Sequence, residues 1–106
     1  MMHPPFFIWD DGKFVKINLA DIAVLKTEDN YLRLYAKEES YLIRATLDKT
    51  LSQLPEGSFV RIHKSFAVAL QHLEAVEKEA AIVYGVAFPV SKRYYPELIS
   101  SLNVLG

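Results

Sequence analysis

The residues best suited to chemistry in this chain lie between Phe59 and Leu70, where Arg61, His63, Lys64 and Ser65 stand close together in Phe59-Val60-Arg61-Ile62-His63-Lys64-Ser65-Phe66-Ala67-Val68. Strand alternation would put apolar Val60 and Ile62 on one side and Arg61 and His63 on the other. Basic residues and a hydroxyl then gather at the strand's exit. Arginine and lysine grip phosphate oxygens through charge-assisted hydrogen bonds, and serine through a short neutral one. Such contacts anchor a polyanion without reading its sequence. Taken alone, the stretch also fits a solvated edge with a structural histidine.

Other chemistries find less support. His3, His63 and His72 are the only histidines, and none lies three or four residues from another nitrogen ligand, so no local zinc site is expected. There is no glycine-rich loop ending in lysine, no strand followed by a dinucleotide fingerprint and no nucleophile elbow. No cofactor is expected. The adjacent acids Asp10-Asp11, Glu28-Asp29 and Glu38-Glu39 fall in turn-like segments, where carboxylates are solvated and do not act as an acid and a base with separated pKa values. Asp10-Asp11-Gly12 lacks the further oxygen ligands and closing glutamate of a calcium loop. Nothing points to an enzyme.

The elements that must position these residues are mostly strands. Phe6 to Trp9 and Phe14 to Ile17 flank Asp10-Asp11-Gly12-Lys13 and read as an opening hairpin. Ile22 to Leu25 reads as a buried strand, and Tyr31 to Tyr35 pairs with Tyr41 to Arg44 across a charged turn. Thr46 caps a short helix near 47–54, with Leu47, Leu51 and Leu54 on one stripe before Pro55 and Gly57 stop it. Phe59 to His63, Leu73 to Val76, Ala81 to Tyr84 and Val86 to Val90 follow as a meander. After the basic turn Lys92-Arg93, Pro96 suits the first turn of a closing helix near 96–102.

Composition bounds the rest. At 106 residues the chain is one domain, with the ordinary globular mix of about half apolar and a quarter charged residues. The absence of cysteine rules out disulfides and fits a reducing compartment. No apolar run is long enough to span a bilayer, and Met1 to Pro5 lacks the basic and apolar regions of a signal peptide. A cytoplasmic protein with no membrane partner is expected, with residues 1–5 resembling a linker or tag and the domain running from 6 to 103. Lys and Arg number 12 against 13 Asp and Glu, whereas nucleic-acid binders usually carry a basic excess. Any anion-binding face must therefore come from segregated charge. Arg61 to Leu70 and Lys92-Arg93 are free of acid, and acids collect at Glu38-Glu39, Glu74, Glu77 and Glu79.

The stretch from Phe59 resembles the F-x-R-x-H-x-S-[FY]-x-V-N signature of LytTR-type DNA-binding domains of bacterial transcription regulators. Ile17-Asn18-Leu19-Ala20-Asp21-Ile22, Glu28-Asp29-Asn30-Tyr31, Thr46-Leu47 and Pro89-Val90-Ser91-Lys92-Arg93-Tyr94 resemble the family pattern in order and spacing. The resemblance implies a mainly β, elongated antiparallel fold that lays loops into the major groove of double-stranded DNA. It places Asn30, Lys92 and Arg93 toward bases and Arg61, His63, Lys64 and Ser65 on the backbone. Arginine can grip guanine, and asparagine adenine, bidentately. Family members usually carry the domain behind a receiver or sensor domain, and a dimer on repeated DNA sites fits the same picture. One position departs: Ala69 stands where the signature ends in asparagine, offering only a methyl group to a thymine, with Gln71 as the nearest substitute. An alternative of another class is a protein-interaction or dimerisation module that keeps the fold and has lost sequence-specific DNA binding.

Overall fold

A computed structural model describes residues 5–106. The linker-like stretch assigned to residues 1–5 therefore lies, apart from Pro5, outside the described residues. Ten strands and two short helices follow in the order β1 (Phe6–Asp10), β2 (Lys13–Ile17), β3 (Val24–Glu28), β4 (Tyr31–Tyr35), β5 (Ser40–Ile43), α1 (Leu47–Gln53), β6 (Phe59–His63), β7 (Phe66–Ala69), β8 (Ala75–Val76), β9 (Ala80–Val83), β10 (Val86–Pro89) and α2 (Tyr95–Ser100). They form three antiparallel sheets: the hairpin β1-β2, a five-stranded sheet in the order β5-β4-β3-β7-β6, and a three-stranded sheet β10-β9-β8. The fold is mainly β and elongated, with extents of 47 × 34 × 25 Å.

The five-stranded sheet separates two cores, because side chains along a strand alternate between its faces. Val24, Val60, Ile62 and Val68 point toward the three-stranded sheet and α2, where they meet Ala81, Val83 and Leu98. Leu25, Leu32, Leu34 and Ala67 point the other way, onto Ile8 and Ile17 of the first hairpin and Leu47 of α1. Leu32, Ile62, Val68 and Leu98 are fully buried.

Three turns show why particular residues stand where they do. Asp11 and Gly12 have φ of 49° and 77°, the paired positive values of a two-residue turn matched to the twist of a hairpin. Tyr84 and Gly85 repeat this at 51° and 74° between β9 and β10. Thr46 caps α1 as expected, its hydroxyl accepting from Lys49 N at 3.1 Å. Replacing Thr46 with Ala is expected to destabilise the domain by about 1 kcal/mol, seen as a lower urea midpoint at unchanged slope.

Four expectations need correction. β3 begins at Val24, since Leu19–Asp21 forms a single 3-10 turn and Ile22 ends it. β7 was not anticipated: Phe66-Ala67-Val68-Ala69 is an unalternating apolar run, buried from Ala67 to Ala69, between β3 and β6. The later strands are not one meander, because the β6-β7 hairpin joins the central sheet and only β8, of two residues, β9 and β10 form the second. Finally, α2 begins at Tyr95, one residue before Pro96, and stops at Ser100. Proline is tolerated there because the first turn's amides have no intrahelical acceptor.

Candidate nucleic-acid interface

The β6-β7 hairpin turns at Lys64-Ser65, and Arg61 braces that turn from below. Its Nε donates to the His63 carbonyl at 3.3 Å and its Nη2 to the Lys64 carbonyl at 2.5 Å, while Nη1 pairs with Asp48 at the start of α1. Three of the five guanidinium N–H groups are thereby committed. The rest remain for an outside acceptor. Ser65 N donates to His63 Nδ1 at 3.1 Å, so the neutral imidazole carries its proton on Nε2. The His63 ring packs edge-on against Phe66, 5.8 Å between centroids. Thr27 N donates to the Ser65 carbonyl at 2.9 Å, tying the turn to β3 in the middle of the sheet. Lys64, at the tip, is exposed.

The β3-β4 loop, Asp29-Asn30, comes up beside this turn. Asp29 takes the positive φ, 53°, and Asn30 is exposed. At the base of the loop Arg33 Nε donates to Glu28 at 2.7 Å and Nη1 donates to Ser40 at 3.0 Å. The Arg33 hydrogen bond holds the Glu28 carboxyl below the usual carboxylate range and raises Arg33 in turn. This arginine is therefore a brace for the loop.

Asn30, Arg61 and Lys64 line one open depression of about 510 Å³, together with Arg44, Lys49, Asp29 and Asp48. Four cations surround it against two carboxylates, although the whole chain has a net charge of −1. Arg44 and Lys49 were not singled out from sequence. Lys49 lies in the first turn of the Thr46-capped helix, and Arg44 just past β5; only the folding of α1 against β6 makes them neighbours of Lys64.

Lys92 and Arg93 reach the same region by another route. Ser91 N donates to the Ile62 carbonyl at 2.9 Å, and Tyr94 N and Tyr95 N both donate to the Ser91 carbonyl at 3.1 Å. The basic turn is thus hung from β6. Tyr94 completes the connection, with the Arg61 guanidinium 5.5 Å and that of Arg93 5.4 Å from its ring centroid, both within cation–π range. Tyr94 has no charge to attract notice in the sequence, yet it joins the two arginines. Lys92 is exposed beside it.

His63 and Ser65 do not line the depression; they shape its rim through the turn. Ala69 is elsewhere. It pairs with Phe59 at the opposite end of the hairpin from Lys64 and is 4% exposed. Together with Gln71, Leu19 and His72 it borders a different open depression. The departure from the signature thus falls on a buried position.

Comparison with known proteins bears on the family and the fold. The family model described as the LytTr DNA-binding domain matches residues 12–103. Sensory transduction protein LytT of Bacillus subtilis is 28% identical over 96 residues, covering 85% of this chain and 40% of that protein. Sensory transduction protein LytR of Streptococcus mutans is 26% identical over 96 residues, covering 85% of this chain and 39% of that protein. The chain thus spans about two-fifths of the length of these curated relatives. A solved LytTr DNA-binding domain of a response regulator from Bacillus cereus superposes with a TM-score of 0.79 at 20% identity, over 97% of this chain and all of that one, and so shares the fold. With its sheet order, its basic hairpin turn and a family match over most of its length, this chain belongs to the LytTr DNA-binding domain family.

Proposed function

We propose that this domain binds double-stranded DNA sequence-specifically, as the output part of a bacterial signalling regulator, by laying the Asn30 loop, the Lys64 turn and the Lys92-Arg93 turn into the major groove. The observation that carries this reading is the junction at Tyr94, whose ring lies within 5.5 Å of both the Arg61 and the Arg93 guanidinium. Two basic turns distant in sequence form one continuous surface. Arg61, Lys64, the Nε2–H of His63 and the Ser65 hydroxyl take phosphate oxygens; Asn30, Lys92 and Arg93 face base edges. The surface works by holding and reading a ligand, with no chemical transformation. The curated relatives extend well beyond the matched region, which fits an upstream receiver or sensor domain in this regulator too.

Fluorescence anisotropy with random and promoter duplexes tests the reading. If the four cations of the depression each neutralise one phosphate, affinity should fall about a hundredfold between about 50 and about 200 mM salt. Lys64→Ala should weaken selected and random duplexes alike and lower the salt slope by about one. An affinity insensitive to salt, or equal on all sequences, would instead favour the interaction-module alternative. That alternative rests on the near-neutral net charge and on Ala69 in place of the signature's asparagine.

A further inference from the structure

The basic depression between α1 and the β6-β7 turn holds two carboxylates, Asp29 and Asp48, beside its four cations. Asp29 has a local reason to be there: it takes the positive φ of the β3-β4 loop, 53°, a conformation that aspartate and asparagine tolerate. Asp48 has a different one. It stands in the first turn of α1, between the Thr46 cap and Lys49, and its carboxylate takes Nη1 of Arg61 on β6. The Asp48 side chain is 81% exposed. An acid in a helix's first turn is mildly favourable and an ion pair so open to water adds little, so the fold alone gives Asp48 a minor role. On a surface that binds a polyanion its charge is unfavourable. A carboxylate and a phosphate about 5 Å apart repel, even at the dielectric of bulk water, by the equivalent of about fourfold in affinity.

What Asp48 decides is the state of Arg61. Nε and Nη2 of Arg61 are committed to the carbonyls of His63 and Lys64, and Nη1 to Asp48, while the guanidinium lies 5.5 Å from the Tyr94 ring centroid. One N–H on each Nη remains. Without the carboxylate, Nη1 would offer both of its protons to any phosphate; with it, a phosphate approaching on that side meets a like charge. Given the reading of this depression as a duplex-binding face, on which the inference rests, we propose that Asp48 is a specificity-determining residue that acts by repulsion. It closes the Nη1 side of Arg61, so that this arginine accepts a phosphate only from the remaining direction. Phosphate contacts carry no sequence information but fix the register of a protein on its duplex, and discrimination between partners can be built from an element that disfavours the wrong one. A random duplex, bound in many registers, meets the repulsion in most of them. The selected duplex, bound in one, places its phosphate where Arg61 is open.

Asp48→Asn keeps the size of the side chain and an oxygen that accepts from Arg61, and removes the charge. In anisotropy titrations it should tighten binding to random duplexes about fourfold and leave a duplex selected from a random pool nearly unchanged, narrowing the ratio of the two affinities. Added salt should shrink the gain. Asp29→Asn is the control. It removes the same charge from the same depression, at a residue with no ion pair among the described residues, and should tighten both duplexes alike with the ratio kept. Thermal unfolding of both variants should lie close to that of the unaltered protein. Random binding that Asp48→Asn leaves unchanged overturns the proposal, and random binding that it weakens does so in favour of a plain brace for Arg61. A gain shared equally by both duplexes, or a ratio that Asp29→Asn narrows as much, overturns it too. If neither the unaltered protein nor Asp48→Asn binds any duplex in a salt-dependent way, the reading of the depression itself falls, and the role of Asp48 with it.

Discussion

Arg93→Ala is expected to weaken binding to a selected duplex by about 1–3 kcal/mol and to narrow the ratio of selected to random affinity. The size follows from what holds this arginine. Arg93 is exposed, and among the described ion pairs none involves it; its guanidinium rests only near the Tyr94 ring. Among the described residues no acceptor engages its five N–H donors, which suits them to a base edge. Arg61 differs, since Asp48 and two carbonyls already occupy it. Titrating both variants against selected and scrambled duplexes separates their roles: Arg93→Ala should change the ratio, and Lys64→Ala the salt slope. A ratio unchanged in Arg93→Ala would make this residue another phosphate anchor and leave base reading to Asn30 and Lys92. Tyr94→Leu, which removes the π face between the arginines, should move the ratio in the same direction by less.

The largest effect on stability is expected from Ile62→Ala, at about 2–5 kcal/mol. Ile62 is fully buried and packs with Val60, Val68 and Leu98 between the central sheet and α2. A cavity there cannot be filled by collapse without moving β6, whose Ile62 carbonyl also holds the Ser91 amide. For a domain this small, the melting temperature should drop by about ten degrees or more, and denaturant unfolding should show a lower midpoint. The side chain points away from Arg61 and Lys64, so at a temperature where the variant stays folded its DNA affinity should be retained. A tenfold loss in the folded variant would show that the core sets the geometry of the basic turn. A loss of stability below about 1 kcal/mol would mean that the site relaxes around the cavity.

Local features were legible from neighbours a few residues apart. Alternation in Phe59 to His63 correctly placed Val60 and Ile62 inside and Arg61 outside. Thr46 marked the start of α1 because a hydroxyl at that position satisfies an otherwise unpaired amide. β7 escaped because a strand buried on both faces loses the alternation by which strands are recognised. Its polar neighbours, basic Lys64 and the hydroxyl of Ser65, drew attention to a surface role for the whole stretch. Ala69 ends that strand, and its small side chain is 4% exposed.

The sequence by itself determined the β-rich composition, the hairpin turns, the helix cap and the segregation of basic residues, since each depends on interactions within a few residues along the chain. Only the tertiary structure decided that β7 lies between β3 and β6, that Asn30, Arg44, Lys49, Arg61 and Lys64 share one depression, and that Tyr94 joins Arg61 to Arg93. The reason is physical. Strand order is set by which distant apolar faces exclude water together, a choice made among long-range contacts and not within any local window. A basic face on a chain of net charge −1 is likewise a property of where strands end, and a count of charges does not contain it.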